Sequence, residues 1–180
     1  KLDGISALIV YEAGRPTKCY LRGNGVYGSD VSYILEHIIL PKTTNVPNCV
    51  VRGELIVSKK FWNETFGKSS KATARNWVSG ILNSTFVSPY LRNIEFIAYE
   101  LVDQRDGSVI PAPMSGLKIL EKEGFKVVQF GLLDPCLSAH VLMIYKSQTE
   151  SYDYMIDGVV LSINHEKKLP TGFFNSVDIV

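Results

Sequence analysis

The 180-residue sequence predicts an α+β domain of mainly antiparallel sheets with helices interspersed. Strand-like runs outnumber helical ones along the chain. Most neighbouring strands are also joined by short turn-type links rather than by long crossovers. Hydrophobic residues make up 46% and charged residues 21% of the chain, the balance of a globular domain with a real core.

Ser6 to Tyr11 alternates as a strand, Glu12 to Pro16 reads as a turn, and Thr17 to Leu21 as the returning strand. Arg22-Gly23-Asn24-Gly25 follows as a loop. Ser29 or Asp30 caps a short helix with Val31, Ile34, Leu35 and Ile38 on its apolar side. Pro41 to Asn48 is a connection, and Cys49 to Val57 is a strand. Ser58 caps a turn of helix through Phe61 and Trp62. Lys71 to Asn83 carries Trp77, Val78, Ile81 and Leu82 at helical spacing. Ile94 to Val102 is apolar on both faces and so reads as a buried strand, followed by a polar loop from Asp103 to Pro113. A helix is expected from Ser115 to a left-handed stop at Gly124, then a strand from Phe125 to Phe130. Ser138 caps a helix with Val141, Leu142, Ile144 and Tyr145 on its apolar side. Asp157-Gly158 turns into a strand from Val159 to Ile163, and a further strand begins at Val177 after a loop.

Composition excludes several classes. No apolar run approaches the roughly 20 residues that span a bilayer, and no secretory h-region opens the chain, so an intracellular protein without a membrane partner is expected. A net charge of +1 argues neither for nor against a nucleic-acid partner, because phosphate contacts act through local patches. Cys19, Cys49 and Cys136 fit neither a zinc pattern nor a disulfide framework and read as buried thiols. His37, His140 and His165 are too dispersed for a histidine metal site. A first residue of Lys rather than Met suggests a fragment or an excised domain.

The chemistry begins with Lys1-Leu2-Asp3-Gly4 ahead of the first strand. A lysine before a tight Asp-Gly turn can present its amine to a phosphorus or carbonyl centre. An ordinary lysine is protonated at neutral pH, so such use requires cationic neighbours or desolvation. By themselves these four residues describe a solvated lysine before a turn better than a nucleophile. Their company changes the balance. In order come Arg22-Gly23-Asn24-Gly25-Val26-Tyr27-Gly28-Ser29-Asp30-Val31-Ser32, Val51-Arg52-Gly53-Glu54, Ala74-Arg75-Asn76 with Gly80, Phe96-Ile97-Ala98-Tyr99, and Asp157-Gly158-Val159-Val160.

From Lys1 to about Ile163 that series resembles the adenylation domain of NAD-dependent DNA ligases, whose pattern runs K-L-D-G, R-G-D-G-x-x-G-E-D-V-T, V-R-G-E, P-R-N-A-A-A-G-S-L-R, F-x-A-Y and D-G-V-V-I-K. The resemblance implies a nucleotidyltransferase fold, similar to ATP-grasp, with mainly antiparallel sheets flanked by helices and a nucleotide cleft between them. It implies that residues 1–180 form one adenylation domain of a larger ligase, with the final lysine motif beyond Val180. Lys1 would attack the α-phosphorus of NAD and carry AMP. Leu2, Asp3 and Arg22 would contact the nucleotide, with Arg22 on the nicotinamide-side ribose and phosphate or, later, the nick. Glu54 would bind a ribose hydroxyl and, with Asp157, hold Mg²⁺. Tyr99 would stack on adenine, Val160 would pack on its other face, and Arg75 would meet a DNA phosphate. The implied partners are NAD and nicked double-stranded DNA, the latter held together with other ligase domains. A monomer is expected, in the cytoplasm, the nucleoid or a viral replication site, acting in DNA replication and repair.

The sequence also departs from the pattern. Ser162 stands where the family carries a lysine on the AMP phosphate, which would remove a charge-assisted contact. Lys167 or Lys168 is a candidate substitute. Asn83 replaces a second arginine, Asn24 an aspartate and Ser29 a glutamate. Two other readings therefore stay open. One is an ATP-dependent DNA or RNA ligase or an mRNA-capping relative, and the other a catalytically degenerate module that binds nucleotide or nucleic acid.

Overall fold

The computed structural model describes residues 1–23, 28–66, 71–103, 109–132, 143, 147 and 151–168. Strands β1 (Ile5–Glu12) and β2 (Arg15–Leu21) form the expected hairpin. Its two-residue turn places Ala13 at φ 49° and Gly14 at φ 74°, the left-handed geometry that matches strand twist. A Cβ on Gly14 would also lie 2.4 Å from the Thr44 carbonyl oxygen, so the 41–48 connection packs directly on the turn.

The sheet continues through β3 (Ser29–Asp30), β4 (Cys49–Ile56), β5 (Glu95–Asp103) and β7 (Lys126–Val127) in the order β3-β2-β1-β4-β5-β7. Every pairing is antiparallel except β5 with β7. A separate two-stranded sheet pairs β6 (Val109–Ile110) with β8 (Lys167–Lys168), so part of the expected 103–113 loop is strand. The mixed α+β class holds.

Alternation sorts the sheet into two faces. Ala7, Ile9, Tyr11, Cys19, Val51, Leu55, Phe96 and Ala98 line one face and form the main core with Ile34, Trp62, Val78, Leu82 and Leu120. Helices α1 (Lys59–Thr65), α2 (Ala74–Leu82) and α3 (Pro113–Lys122) contribute to that core. Among the described residues the other, more open face carries a smaller cluster of Leu2, Ile56, Ile97 and Tyr154. The helices are started as local chemistry directs. Ser58 accepts the Phe61 N–H and Thr73 the Asn76 N–H.

Several boundaries differ from expectation. Residues 32–36 form a 3-10 turn, in which Asp30 Oδ1 accepts the Ser32 N–H from outside the turn. Helix α3 starts at Pro113 rather than Ser115, because a proline fits the first turn, where no N–H is needed. Gly124 ends it at φ 85°, as expected. The expected Phe125–Phe130 strand pairs only at Lys126–Val127. The Val128 N–H reaches the Ala98 oxygen, and the next β5 residue, Tyr99, is bulged out of the ladder. Val159 to Ile163 is not a strand. The last pairing before it is Leu2 with Ile156, and β propensity makes no strand where, among the described residues, no neighbouring edge receives it.

Cys19 and Cys49 are buried and form no disulfide, and burial pushes the Cys19 thiol up to about 12. Among the described residues no helix is long and apolar enough to cross a membrane. The expected helix after Ser138, the strand at Val177, Asn24, Cys136 and His140 lie outside the described residues.

Candidate active site

The site is assembled where the start of the chain meets residues 155–158 on the open face. The Asp3 N–H donates to the Met155 oxygen and the Asp157 N–H to the Lys1 oxygen, both at 2.9 Å, and Leu2 bridges antiparallel to Ile156. The Lys1 backbone nitrogen also donates to the Gly158 carbonyl. The first residues of K-L-D-G and of D-G-V-V are thereby aligned side by side. Lys1 Nζ donates to Asp157 Oδ2 at 2.7 Å while its side chain stays more than half exposed.

Glu54 comes to this point from β4. It pairs with Ser6 across β1, which brings its side chain against Gly4. The approach is so close that a Cβ on Gly4 would fall 2.7 Å from Glu54 Cγ. Burial pushes the Glu54 carboxyl up to about 7, against the opposing pull of Arg75, Lys1 and the Gly4 N–H; Asp157 pushes further upward. Arg75, in the first turn of α2, donates to Asp3 Oδ1 at 3.3 Å. Two cations and three carboxylates thus share one small region.

Tyr99 reaches the same face through a bulge. Arg52 pairs with Glu100 but Gly53 with Ala98, so Tyr99 is an extra residue on β5. Strict alternation would send Glu100 into the core. The bulge instead turns both Tyr99 and Glu100 to the open face, where Glu100 accepts from Arg52 at 3.0 Å. The Tyr99 hydroxyl lies 2.8 Å from Ser6 Oγ, and burial raises its ionisation above the ordinary phenol value. On the opposite face the Phe96 ring occupies the space that a Gly53 side chain would need, with Cζ 2.5 Å from an added Cβ.

The structure therefore gathers Lys1, Asp3, Glu54, Arg75, Asp157 and Tyr99. Leu2 is buried beneath the site against Ile56, Ile97 and Tyr154. Arg22 is exposed at the end of β2, its N–H on the Ser6 oxygen at 3.2 Å, so it continues the Ser6–Glu54 row. Val160 is 67% exposed and belongs to neither apolar cluster. Ser162 lies in the same exposed, unpaired segment. Among the described residues no group of three or more His, Cys, Asp or Glu could hold a metal ion.

Sequence reasoning missed Ser6, the Arg52–Glu100 pair, and the Glu95 cluster that anchors residues 151–158. Glu95 is buried and accepts from Tyr154 Oη at 3.0 Å and from Lys126. A polar Ser6 inside an apolar strand was the available signal, but its partner depends on a bulge that no periodicity displays.

Residues 1–173 match the family model of the NAD-dependent DNA ligase adenylation domain. The chain is 31% identical over 174 residues to the DNA ligase of Acanthamoeba polyphaga mimivirus, covering 92% of this chain and 26% of that protein. It is 30% identical over 177 residues to the DNA ligase of Mycoplasmopsis pulmonis, with 91% and 26% covered. With the DNA ligase of Halothermothrix orenii the identity is 28% over 179 residues, again with 91% and 26% covered. The chain thus spans about a quarter of the length of these relatives. By the match over nearly all its residues, the chain belongs to the family of NAD-dependent DNA ligase adenylation domains.

Proposed function

We propose that this domain takes AMP from NAD onto Lys1 as the first step of sealing nicked DNA. The observation that carries the reading is the alignment of the exposed Lys1 amine with Asp157, next to Glu54 and Arg75. The amine, having released a proton to solvent, forms a P–N bond to the α-phosphorus as the P–O bond to nicotinamide mononucleotide breaks. Little covalent machinery is needed for such a step, which depends on positioning and charge stabilisation.

Tyr99 stacks on adenine, and Leu2 and Asp3 line the nucleotide with Val160 on the far face of the base. Glu54 receives a ribose hydroxyl, and Arg22 holds the nicotinamide-side ribose and phosphate. Arg75 leaves Asp3 for a DNA phosphate once the nick is bound. Glu54 and Asp157 suit Mg²⁺, which takes one or two carboxylates and fills its other positions with water and phosphate oxygens. Bound there, the ion would offset charge developing on the phosphate. The nucleotide lies over the open face of the sheet in a nucleotidyltransferase fold. Within a larger monomeric ligase, AMP then passes to a DNA 5′-phosphate, and a 3′-hydroxyl displaces it.

Covalent labelling tests the reading. The full-length protein is offered NAD or ATP labelled in the adenylate, with Lys1→Ala as control. Label from NAD that vanishes in the variant is expected, and label from ATP alone overturns NAD as donor. A second reading, a degenerate nucleotide-binding module, is favoured by the exposed Ser162 in place of a lysine. Nucleotide binding without any covalent label would support it.

A further inference from the structure

We propose that Ser6 is a positioning residue of the nucleotide site, holding the Tyr99 ring down across β4 as a fixed platform for a purine base. The inference rests on the reading of Tyr99 given above and deepens it. Ser6 is on β1 and Tyr99 on β5, with β4 between them. Two inter-strand steps separate their backbones by roughly 9–10 Å. A side chain standing upright from β5 could not cover that distance, so the 2.8 Å contact between the two hydroxyls requires a ring that leans along the sheet. It passes over Gly53, whose missing side chain would in any case fall on the opposite face, against Phe96. Lying flat in that pose, the ring would turn one face to the β4 backbone and offer the other to the open side of the sheet.

Three restraints fix that pose. The bulge sets where the Tyr99 backbone leaves the ladder. The Arg52–Glu100 pair holds the neighbouring residue on the open face and so keeps the bulge from slipping. Ser6 then ties the far end of the ring. Ser6 is also the direct cross-strand partner of Glu54, so a single β1 residue sets the base platform in register with the carboxylate assigned to the ribose. A ring ordered before ligand arrives loses less side-chain freedom on binding, and the gain appears as affinity. Burial keeps the phenol neutral and able to share a proton with the serine.

The test follows NAD-dependent labelling of Lys1 in the full-length protein across NAD concentrations. Ser6→Ala should raise KM for NAD roughly three- to tenfold, the worth of one net hydrogen bond, with kcat changed less than about twofold. Ser6→Thr should restore KM. Tyr99→Phe keeps the ring and reads the same bond from its other end, so it should match Ser6→Ala, and the double variant should be no worse than either. An unchanged KM in Ser6→Ala, or additive effects in the double variant, overturns the inference. A purely structural serine would lower thermal stability and leave KM where it was, which also overturns it. Tyr99→Ala separates the two levels. If it leaves KM unchanged, the base-stacking reading fails and the role of Ser6 falls with it; if it raises KM while Ser6→Ala does not, only the role of Ser6 fails.

Discussion

Lys1 Nζ donates to Asp157 Oδ2 at 2.7 Å, joining residues 156 positions apart in the chain. The pair is largely exposed, and exposed ion pairs contribute about 0–1 kcal/mol to stability. Lys1→Ala should therefore fold and melt much like the parent while losing all covalent AMP. Intact mass after incubation with NAD reads the adduct directly. An adduct that persists in the variant would move the nucleophile elsewhere.

Two glycines should fail for different reasons. A Cβ on Gly53 would lie 2.5 Å from Phe96 Cζ and 2.6 Å from the Ile97 oxygen. Gly53→Ala is expected to cost about 1–3 kcal/mol in urea denaturation, as core overpacking does. Gly4→Ala presses on Glu54 Cγ and the Leu55 oxygen, both at 2.7 Å. It should slow adenylation roughly tenfold to hundredfold in protein that remains folded, because small misplacements of a reacting group are costly.

Glu54 gives a pH dependence of defined sign. Its folded carboxyl titrates at about 7, above the ordinary value of 4.5, chiefly through burial. The folded state therefore holds this proton more tightly than the unfolded chain. The resulting stabilisation is complete below about pH 4.5 and is lost as pH rises to about 7. Glu54→Gln, which cannot ionise, should be more stable than the parent at pH 8 by about 1 kcal/mol, allowing for solvent screening of a half-buried group, and no more stable at pH 4.5. Urea midpoints at the two pH values decide it; a difference that does not change with pH would place the titration on another group.

Ser162→Lys restores the charge that the family pattern has at this position. The side chain is exposed, so stability should change by less than about 0.5 kcal/mol. The rate of lysyl-AMP formation should rise, on the order of 10²-fold if the contact is fully regained. An unchanged rate would mean that another cation already serves the phosphate. Rapid-quench labelling distinguishes these outcomes.

Much of this was legible in the sequence. The Glu12–Pro16 turn, the cap at Ser58 and the stop at Gly124 follow from local chemistry, which acts within a few residues. The ordered motifs likewise named Lys1, Glu54, Arg75, Tyr99 and Asp157, and the fold gathers these around the start of β1. What sequence could not supply depends on neighbours far along the chain. Val159 to Ile163 has strand composition but joins no edge among the described residues. The strand expected to Phe130 stops where β5 bulges, and that same bulge hides the Ser6–Tyr99 contact from any period-two reading. Arg75 was assigned by pattern to DNA, yet it rests on Asp3, a pairing visible only in three dimensions.

The antiparallel bridge between Leu2 and Ile156 has a consequence for the order of folding. Closing so long a loop is entropically slow compared with forming the β1–β2 hairpin, whose strands are neighbours. The hairpin and most of the sheet can therefore form while residues 1–3 are still undocked. During that interval the amine is an ordinary surface lysine. On the proposed function, reactivity toward nucleotide would arrive with one of the last contacts to close, and the rate at which refolding protein gains the ability to take AMP would be a clock for completion of the native state.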